Sequence, residues 1–256
     1  MNHHTSVIIS VKNLLKQYGD FTAVNGISFE VTEGEIFGLL GPNGAGKTTT
    51  LEILETLRDK SGGEVIIDGL NVDRDPNSIK KIIGVQLQAA GYYPNLKLTE
   101  LLDLFSGLYN VDIDKMEVLS RVGLEDKAKN KYKDLSGGQK QRFSLCTTLI
   151  NNPKVIFLDE PTTGLDPQSR RNLWDLIRKI RDNGTTVVIT THYMDEAEEL
   201  CDRVAVMEAG QFIALDTPEN LIDQLVLRGF KRAKEVKQAN LEDVFLDLTG
   251  REWRDE

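Results

Sequence analysis

Residues 41–48, Gly-Pro-Asn-Gly-Ala-Gly-Lys-Thr, have the types and the spacing that close around a phosphate group. The three glycines allow backbone conformations in which N–H groups turn toward phosphate oxygens. Lys47 is expected to reach the β- and γ-phosphates of a nucleotide, and the Thr48 hydroxyl to coordinate Mg²⁺. An apolar run at 36–40 precedes the segment and a helical pattern at 49–57 follows it, which is the strand–loop–helix context of a phosphate-binding loop. The chain is therefore expected to bind a nucleoside triphosphate.

Two adjacent carboxylates, Asp159 and Glu160, stand at the end of a short apolar strand pattern at 154–158. Folding alone explains such a pair poorly. In proteins with a phosphate-binding loop, an acid at the end of the next buried strand holds the Mg²⁺ ion. We assign the metal to Asp159, and we assign to Glu160 the orientation or deprotonation of the attacking water.

Three further side chains stand near strand ends. His192 directly follows the strand pattern at 185–190, where it can donate a hydrogen bond to a γ-phosphate. Gln88 ends another strand pattern, and ligands of open α/β sheets collect at the carboxyl ends of strands. Tyr18 sits in the turn after the first strand pattern, as an ordinary turn aromatic or as a platform for a purine base, and its spacing alone does not decide between the two.

Residues 135–142, Leu-Ser-Gly-Gly-Gln-Lys-Gln-Arg, predict a helix with an unusual start. Ser136 and Gln139 form a capping-box pattern. Two glycines in the first turn are costly for a helix. They are better explained if the N–H groups at the start must stay bare to approach an anion. Asp166 and Pro167 mark a second helix start, with an N-cap followed by proline.

Composition limits the class of protein. The chain has 256 residues, of which 40% are hydrophobic and 28% charged, which is typical of a globular protein of one large domain or one domain with a subdomain. No apolar run approaches the roughly 20 residues of a membrane-spanning helix, and the start is unlike a signal peptide. Cys146 and Cys201 fall at apolar-periodic positions, which favours buried thiols in a reducing compartment. The net charge of −9 argues against general nucleic-acid affinity.

The element pattern predicts an α/β fold. We expect a P-loop NTPase domain with a mixed central sheet, an N-terminal antiparallel β subdomain and an inserted helical subdomain. The predicted nucleotide-binding core comprises 1–88 and 153–225, and 89–152 form the helical insertion because no strand pattern appears there. Residues 226–256 are expected to form a short C-terminal helical tail, with apolar residues at helical spacing from 241 to 248.

Taken together, these motifs resemble the ATP-binding subunit of an ATP-binding cassette (ABC) transporter. The segment 135–139 matches the signature of that family, and the resemblance runs from about residue 7 to the end. It implies that Tyr18 stacks on adenine, that Gln88 senses the γ-phosphate and Mg²⁺, and that Asp166 belongs to the D-loop. The residues grouped around ATP on this basis are Tyr18, Gly41, Pro42, Asn43, Gly44, Ala45, Gly46, Lys47, Thr48, Thr49, Ser136, Gly137, Gly138, Gln139 and Asp166.

The resemblance also implies partners. It predicts a head-to-tail dimer around two ATP–Mg²⁺ molecules, with a second copy or with another ABC ATPase subunit, in which residues 136–138 of one chain complete the other chain's site. The segments 91–99 and 240–251 resemble exporter subunits of the drug, antibiotic and polysaccharide export group. Separate integral membrane subunits are therefore expected to contact residues 89–98, with this chain peripheral on the cytoplasmic side of the cell membrane and without a nucleic-acid partner.

Two other classes fit parts of the sequence. One is a soluble ABC-type ATPase that acts on nucleic acid or ribosomes, but the paired cassettes, coiled-coil insertions and zinc motifs usual in such proteins are absent from the sequence. The other is a P-loop GTPase. Residues 130–134, Asn-Lys-Tyr-Lys-Asp, come near the guanine-reading motif Asn-Lys-x-Asp, but the acid is one position late. Filter binding to DNA or RNA at low and physiological salt tests the first class, and a comparison of ATP with GTP turnover tests the second.

Overall fold

The computed structural model describes residues 6–86 and 91–230, in which strands and helices alternate. The strands are β1 (Val7–Tyr18), β2 (Phe21–Thr32), β3 (Ile36–Leu40), β4 (Gly62–Ile67), β5 (Leu70–Asn71), β6 (Ile83–Gln86), β7 (Val155–Asp159), β8 (Thr186–Thr191), β9 (Arg203–Glu208) and β10 (Gln211–Asp216). The helices are α1 (Lys47–Leu54), α2 (Pro76–Ile82), α3 (Leu98–Tyr109), α4 (Lys115–Ser120), α5 (Gly137–Thr148), α6 (Pro167–Asp182), α7 (Met194–Leu200) and α8 (Pro218–Leu227).

The chain divides into two compact units at Leu221 and Ile222. The second unit, as far as the structure describes it, comprises the later part of α8 and three further residues. The helix predicted at 241–248 lies outside the described residues.

A six-stranded sheet carries the fold, in the order β10-β9-β3-β8-β7-β6. Its neighbouring strands are parallel, except that β10 runs antiparallel to β9. The carboxyl ends of β3, β7 and β8 consequently meet at one edge, which is where open α/β sheets place their ligands. A second, antiparallel sheet has the order β2-β1-β4-β5. The expected mixed α/β fold with an antiparallel portion is thereby confirmed.

The central strands are buried on both faces, and alternate residues serve two different cores. On β3, Phe37 and Leu39 pack into the core shared with the antiparallel sheet and α1. Ile36 and Leu40 face the opposite way, into the core formed with the long helices. Burial on both faces explains why these strands are continuously apolar in the sequence rather than alternating.

Between β6 and β7 the described residues are mainly helical, as the sequence predicted. They comprise α3, α4 and α5 with two short 3₁₀ turns, and one isolated bridge joins Lys97 to Lys131. Their apolar residues pack with one face of the six-stranded sheet. The assignment of 89–152 as a separate subdomain stays a prediction. One local expectation was wrong: Tyr18 is the last residue of β1 and pairs with Phe21, rather than lying in the turn.

Candidate active site

The loop between β3 and α1 is packed so closely that its glycines have steric as well as conformational roles. Gly46 caps α1 with φ +107°, and a Cβ placed there would lie 2.4 Å from the Ala23 carbonyl oxygen. A Cβ at Gly41 would lie 2.2 Å from the Met207 carbonyl oxygen. Both distances are shorter than atoms can approach, so the backbone around the loop accommodates glycine alone without shifting. The helix N-terminus that follows is left open toward the loop.

Lys47 is the first residue of α1 and is buried. Its Nζ donates to the carbonyl oxygens of Gly41 (2.8 Å) and Pro42 (3.1 Å), so the side chain spans the loop that precedes it. Burial lowers the pKa of Lys47, and the charges of Glu160 and Asp159 oppose that change. The ammonium group is thus held beside the loop, where a nucleotide phosphate would replace the carbonyls as its partner.

Thr48 and Asp159 form a pair of hard oxygen donors. The Thr48 hydroxyl lies 3.4 and 3.3 Å from the two carboxylate oxygens of Asp159. Asp159 also accepts a hydrogen bond from the Thr190 hydroxyl. Burial raises the pKa of Asp159, while the hydrogen bonds from Thr190 and Thr48 act in the opposite direction.

This donor set fits Mg²⁺. The ion typically takes one or two protein oxygens and completes its shell with phosphate oxygens and waters. Within the part of the chain that the structure describes, no cluster of three or more His, Cys, Asp and Glu side chains could hold a metal by itself. A hydroxyl and one carboxylate beside a phosphate-binding loop are therefore the appropriate ligands for a magnesium–nucleotide complex.

Glu160 follows Asp159 in a constrained backbone conformation, with φ +47°. Its N–H donates to the Thr190 carbonyl (3.1 Å) and contacts the Thr190 hydroxyl oxygen (3.0 Å), which anchors it to the end of β8. Its carboxylate accepts from the Thr163 hydroxyl (3.3 Å) and lies 3.1 Å from Nδ1 of His192. The two carboxylates and the histidine thus converge at the edge of the sheet, as the sequence predicted for their strand ends.

An open cleft of about 390 Å³ joins Glu160 and the phosphate-binding loop to the aromatic end of β1. The residues that line it are Tyr18, Phe21, Ala23, Asn43, Gly44, Gly46, Lys47, Thr48, Thr49 and Glu160. The Tyr18 ring also has the Lys16 ammonium 4.9 Å and the Arg58 guanidinium 5.5 Å from its centroid. The cleft therefore places an aromatic surface at one end and phosphate-binding groups at the other, which suits a nucleotide.

The residues of the signature segment (135–139) are not among those that line this cleft. Ser136 caps α5: its hydroxyl accepts from the Gln139 N–H (3.3 Å), and its own N–H donates to the Gln139 side chain (2.9 Å). The predicted capping box is thus present. Asp166 caps α6 by accepting from the Ser169 N–H at 2.9 Å, and hydrogen bonds from Ser169 lower the pKa of Asp166. Both segments have intact helix caps but do not meet the nucleotide cleft of their own chain.

Gln88 lies outside the described residues. Two residues that we did not predict belong to the site. Thr190 contacts both carboxyl-bearing residues, and its signal was available, because it is the penultimate residue of β8, the strand beside β7. Phe21 lines the cleft and pairs with Tyr18 across β1 and β2, and its 61% exposure is unusual for phenylalanine. The hairpin pairing that brings Phe21 there could not be read from periodicity.

The fold and the site define a P-loop nucleotide-hydrolysing cassette, and comparisons with known proteins narrow the class. A family model described as ABC transporter matches residues 24–163. The chain is 37% identical to the Nod factor export ATP-binding protein I of Burkholderia orbicola (strain AU 1054), over 96% of this chain and 98% of that protein. It is also 37% identical to the linearmycin resistance ATP-binding protein LnrL of Bacillus subtilis (strain 168), over 85% of this chain and 72% of that protein.

Among solved structures, a dimeric ATP-binding cassette in a post-hydrolysis state, bound to ADP and Pi, matches with a TM-score of 0.72 and 28% identity. The match covers 82% of this chain and 98% of that one. The chain therefore belongs to the ABC transporter family and is an ATP-binding subunit with ATPase activity. This family membership sets aside the P-loop GTPase.

No helix in residues 6–86 or 91–230 is long and apolar enough to cross a membrane.

Proposed function

We propose that Lys47, Thr48, Asp159, Glu160 and His192 carry the hydrolysis of ATP. Lys47 binds the β- and γ-phosphates, and Glu160 orients and deprotonates the attacking water. Thr48 and Asp159 would hold Mg²⁺, which would supply positive charge next to the phosphate oxygens. His192 donates a hydrogen bond to the γ-phosphate. The convergence of Glu160 and His192 beside the phosphate-binding loop supports these roles.

A second ATPase cassette is proposed to close over this site. The observation that carries this proposal is the separation between the cleft and the signature segment, whose helix start has two glycines in its first turn. Glycine at these positions weakens the helix and leaves the N–H groups accessible, which suits contact with an anion. We infer that residues 136–138 and Asp166 meet the ATP held by the partner chain. The partner is a second copy or another ABC ATPase subunit, and the solved dimeric cassette bound to ADP and Pi supports the arrangement.

Closure and reopening of this dimer are proposed to drive export by separate membrane subunits, with the chain peripheral on the cytoplasmic side of the membrane. The names of the two curated relatives, one for Nod factor export and one for linearmycin resistance, support export over action on nucleic acid. Exposed apolar surface at residues 91–98, the described part of the segment 89–98, supports contact with a membrane subunit. Tyr93 is 65% exposed there, beside a cavity of about 400 Å³ lined also by Pro94, Asn95, Leu96 and Leu104.

The hydrolytic roles are tested with Glu160→Gln. The amide keeps the size of the side chain but cannot accept a proton, so ATP binding should persist while turnover falls by roughly 10²–10⁴-fold. Glu219→Gln, which alters an exposed carboxylate at the start of α8, is the control and should hydrolyse ATP at the wild-type rate. Normal ATP turnover by Glu160→Gln would remove Glu160 from this role. Lys47→Ala should lose tight ATP binding.

The shared site is tested by mixing two inactive chains. Ser136→Arg blocks the signature segment, and Lys47→Ala removes the phosphate clamp. In a mixed dimer one site combines the intact phosphate-binding loop of the Ser136→Arg chain with the intact signature segment of the Lys47→Ala chain. If pairing is random, half of the dimers are mixed and each has one working site of two, so roughly a quarter of wild-type turnover should return. No recovery, in a mixture shown by gel filtration with ATP to contain dimers, would contradict a site shared between two copies.

The membrane partner is tested by purifying the tagged chain from solubilised membranes and identifying the proteins that accompany it. Tyr93→Glu places a charge in the exposed apolar surface and should release the partner while leaving ATP binding intact. Retention of a membrane protein by the Tyr93→Glu variant would place the contact elsewhere. Co-purification of nucleic acid or ribosomes instead of a membrane protein would favour a soluble ABC-type ATPase.

A further inference from the structure

A row of four side chains, which begins with Arg170 on α6, leads into the candidate active site. The Arg170 guanidinium lies 4.4 Å from the centroid of the Tyr193 ring. The Tyr193 ring lies 4.2 Å from the His192 ring, centroid to centroid, with 37° between the two planes. His192 Nδ1 in turn lies 3.1 Å from Glu160 Oε1. The row therefore ends on the two residues assigned to the γ-phosphate and the attacking water.

The orientation of His192 needs such support. Its Nδ1 is buried and lies 3.1 Å from Glu160 Oε1, yet within the described residues it has no hydrogen-bond partner. A short distance without a directed hydrogen bond does not by itself fix the rotation of the ring. Packing against the Tyr193 ring limits that rotation. The Tyr193 backbone is fixed separately, because its N–H donates to the Thr191 hydroxyl at 3.0 Å.

Arg170 is itself held in a defined position. Its Nη1 lies 3.2 Å from Asp195 Oδ2, and its side chain is 20% exposed. Its backbone N–H donates to the Asp166 carbonyl (3.0 Å), so Arg170 stands one turn after the α6 N-cap. Its Nε is buried without a hydrogen-bond partner in the described structure. Hydrogen bonding alone therefore does not account for the placement of the guanidinium, and stacking on Tyr193 supplies the remaining contact.

The attachment of α7 to α6 does not depend on Arg170. Trp174 Nε1 donates to Glu196 Oε1 at 2.8 Å, inside the core. Farther along, Arg178 Nη2 donates to the Glu199 carbonyl at 2.6 Å. Arg178 thus joins the same two helices by a guanidinium, about two turns after Arg170 on α6. The chain provides its own comparison between an arginine that only attaches α7 and one that also stacks on Tyr193.

We propose that Arg170 is a positioning residue for His192 and acts through the Tyr193 ring. The cation holds Tyr193, and Tyr193 holds the imidazole in the orientation from which it donates to the γ-phosphate. This inference rests on the role proposed above for His192. Because Arg170 follows Asp166 by one helical turn, a displacement of the D-loop on contact with a second cassette would move Arg170 and, with it, the imidazole.

The test compares four single variants by ATPase kinetics at saturating Mg²⁺. Arg170→Met and Tyr193→Leu should lower kcat about 10-fold and change KM for ATP by no more than about twofold, since an orientation effect appears in the transition state. Arg178→Met removes the matched arginine, and Tyr193→Phe keeps the ring. Both should stay within about twofold of wild-type kcat. Thermal unfolding of each variant shows whether α7 remains attached.

A second measurement separates positioning from general structural damage. In a His192→Ala background, Arg170→Met should have no further effect on kcat, because the group that it positions is gone. Equal losses of kcat in Arg170→Met and Arg178→Met, or a full additional loss in the His192→Ala background, would overturn the positioning role. The two proposals fail differently. If His192→Ala leaves kcat unchanged, the role proposed for His192 is wrong. If His192→Ala lowers kcat and Arg170→Met does not, only the positioning role of Arg170 is wrong.

Discussion

The Thr48 hydroxyl lies within 3.4 Å of both carboxylate oxygens of Asp159, although 111 residues separate the two in the chain. The sheet order explains their meeting. Thr48 is in the first turn of the helix that follows β3, and Asp159 ends β7, while β3 and β7 both pair in parallel with β8. Parallel strands bring their carboxyl ends to one edge, so the loop after one strand reaches the acid at the end of another. The candidate metal site is thus a consequence of topology.

The first prediction concerns the metal. Thr48→Val removes a hydroxyl that we assign to Mg²⁺ and keeps the shape of the side chain. The Mg²⁺ concentration for half-maximal ATPase should rise by about 10–100-fold, as for the loss of other groups that tune metal sites. Thr49→Val is the control, since Thr49 lines the same cleft one residue later. A magnesium titration of ATPase rate measures the effect. An equal requirement for Mg²⁺ in wild type and Thr48→Val would remove Thr48 from the metal shell.

The second prediction concerns the phosphate-binding loop. Gly44 and Gly46 both have positive φ, but a Cβ at Gly44 meets nothing within 4 Å, whereas one at Gly46 overlaps the Ala23 carbonyl. Gly44→Ala should therefore cost about 1–2 kcal/mol of unfolding free energy, from its backbone conformation alone. Gly46→Ala should cost clearly more and weaken ATP binding as well, because Ala23 must shift. Urea unfolding of the two variants makes the comparison. Equal free energies of unfolding for the two variants would mean that the backbone around Gly46 shifts at little cost.

Most of the fold was predictable because it depends on local patterns. Apolar strands such as β3 are buried on both faces, and capping residues such as Ser136 and Asp166 act on their own helices. Asp159, Glu160 and His192 could be placed because each stands at the end of an apolar strand pattern, which is also local. Thr190 was missed although its place near a strand end was visible, because the sequence does not show which strand lies beside β7. Phe21 was missed because hairpin pairing brings it to the cleft. These long-range relations depend on topology, which periodicity does not reveal.

The third prediction concerns the base. Tyr18 and Phe21 both line the cleft, and the resemblance to the family assigns the adenine to Tyr18. Tyr18→Ala should raise KM for ATP about 3–10-fold, the effect of losing roughly 1 kcal/mol of aromatic stacking, with kcat at saturating ATP unchanged. Tyr18→Phe keeps the ring and should bind ATP as the wild type does. Phe21→Ala tests the alternative. An increase in KM for ATP in Phe21→Ala, with no increase in Tyr18→Ala, would assign the stacking on adenine to Phe21.

The fourth prediction concerns Glu55, which follows the last residue of α1 and is 2% exposed. Burial, with smaller effects from the charges of Asp159 and Glu52, raises the pKa of Glu55 from 4.5 to about 8. Between these values the native chain keeps a proton that the unfolded chain has lost. The unfolded state binds fewer protons there, so stability falls as pH rises, by up to roughly 1.4 kcal/mol per pH unit.

Glu55→Gln removes this titration while keeping a neutral side chain of the same size. Relative to wild type, its free energy of unfolding should increase steadily from pH 5 to pH 8 and then level off, because above pH 8 both states of the wild type are ionised. Urea unfolding at successive pH values, without nucleotide, measures the difference. Glu64→Gln on β4, which replaces a carboxylate that is 53% exposed, is the control. Parallel stability curves for wild type and Glu55→Gln across this range would show that Glu55 is ionised in the native protein.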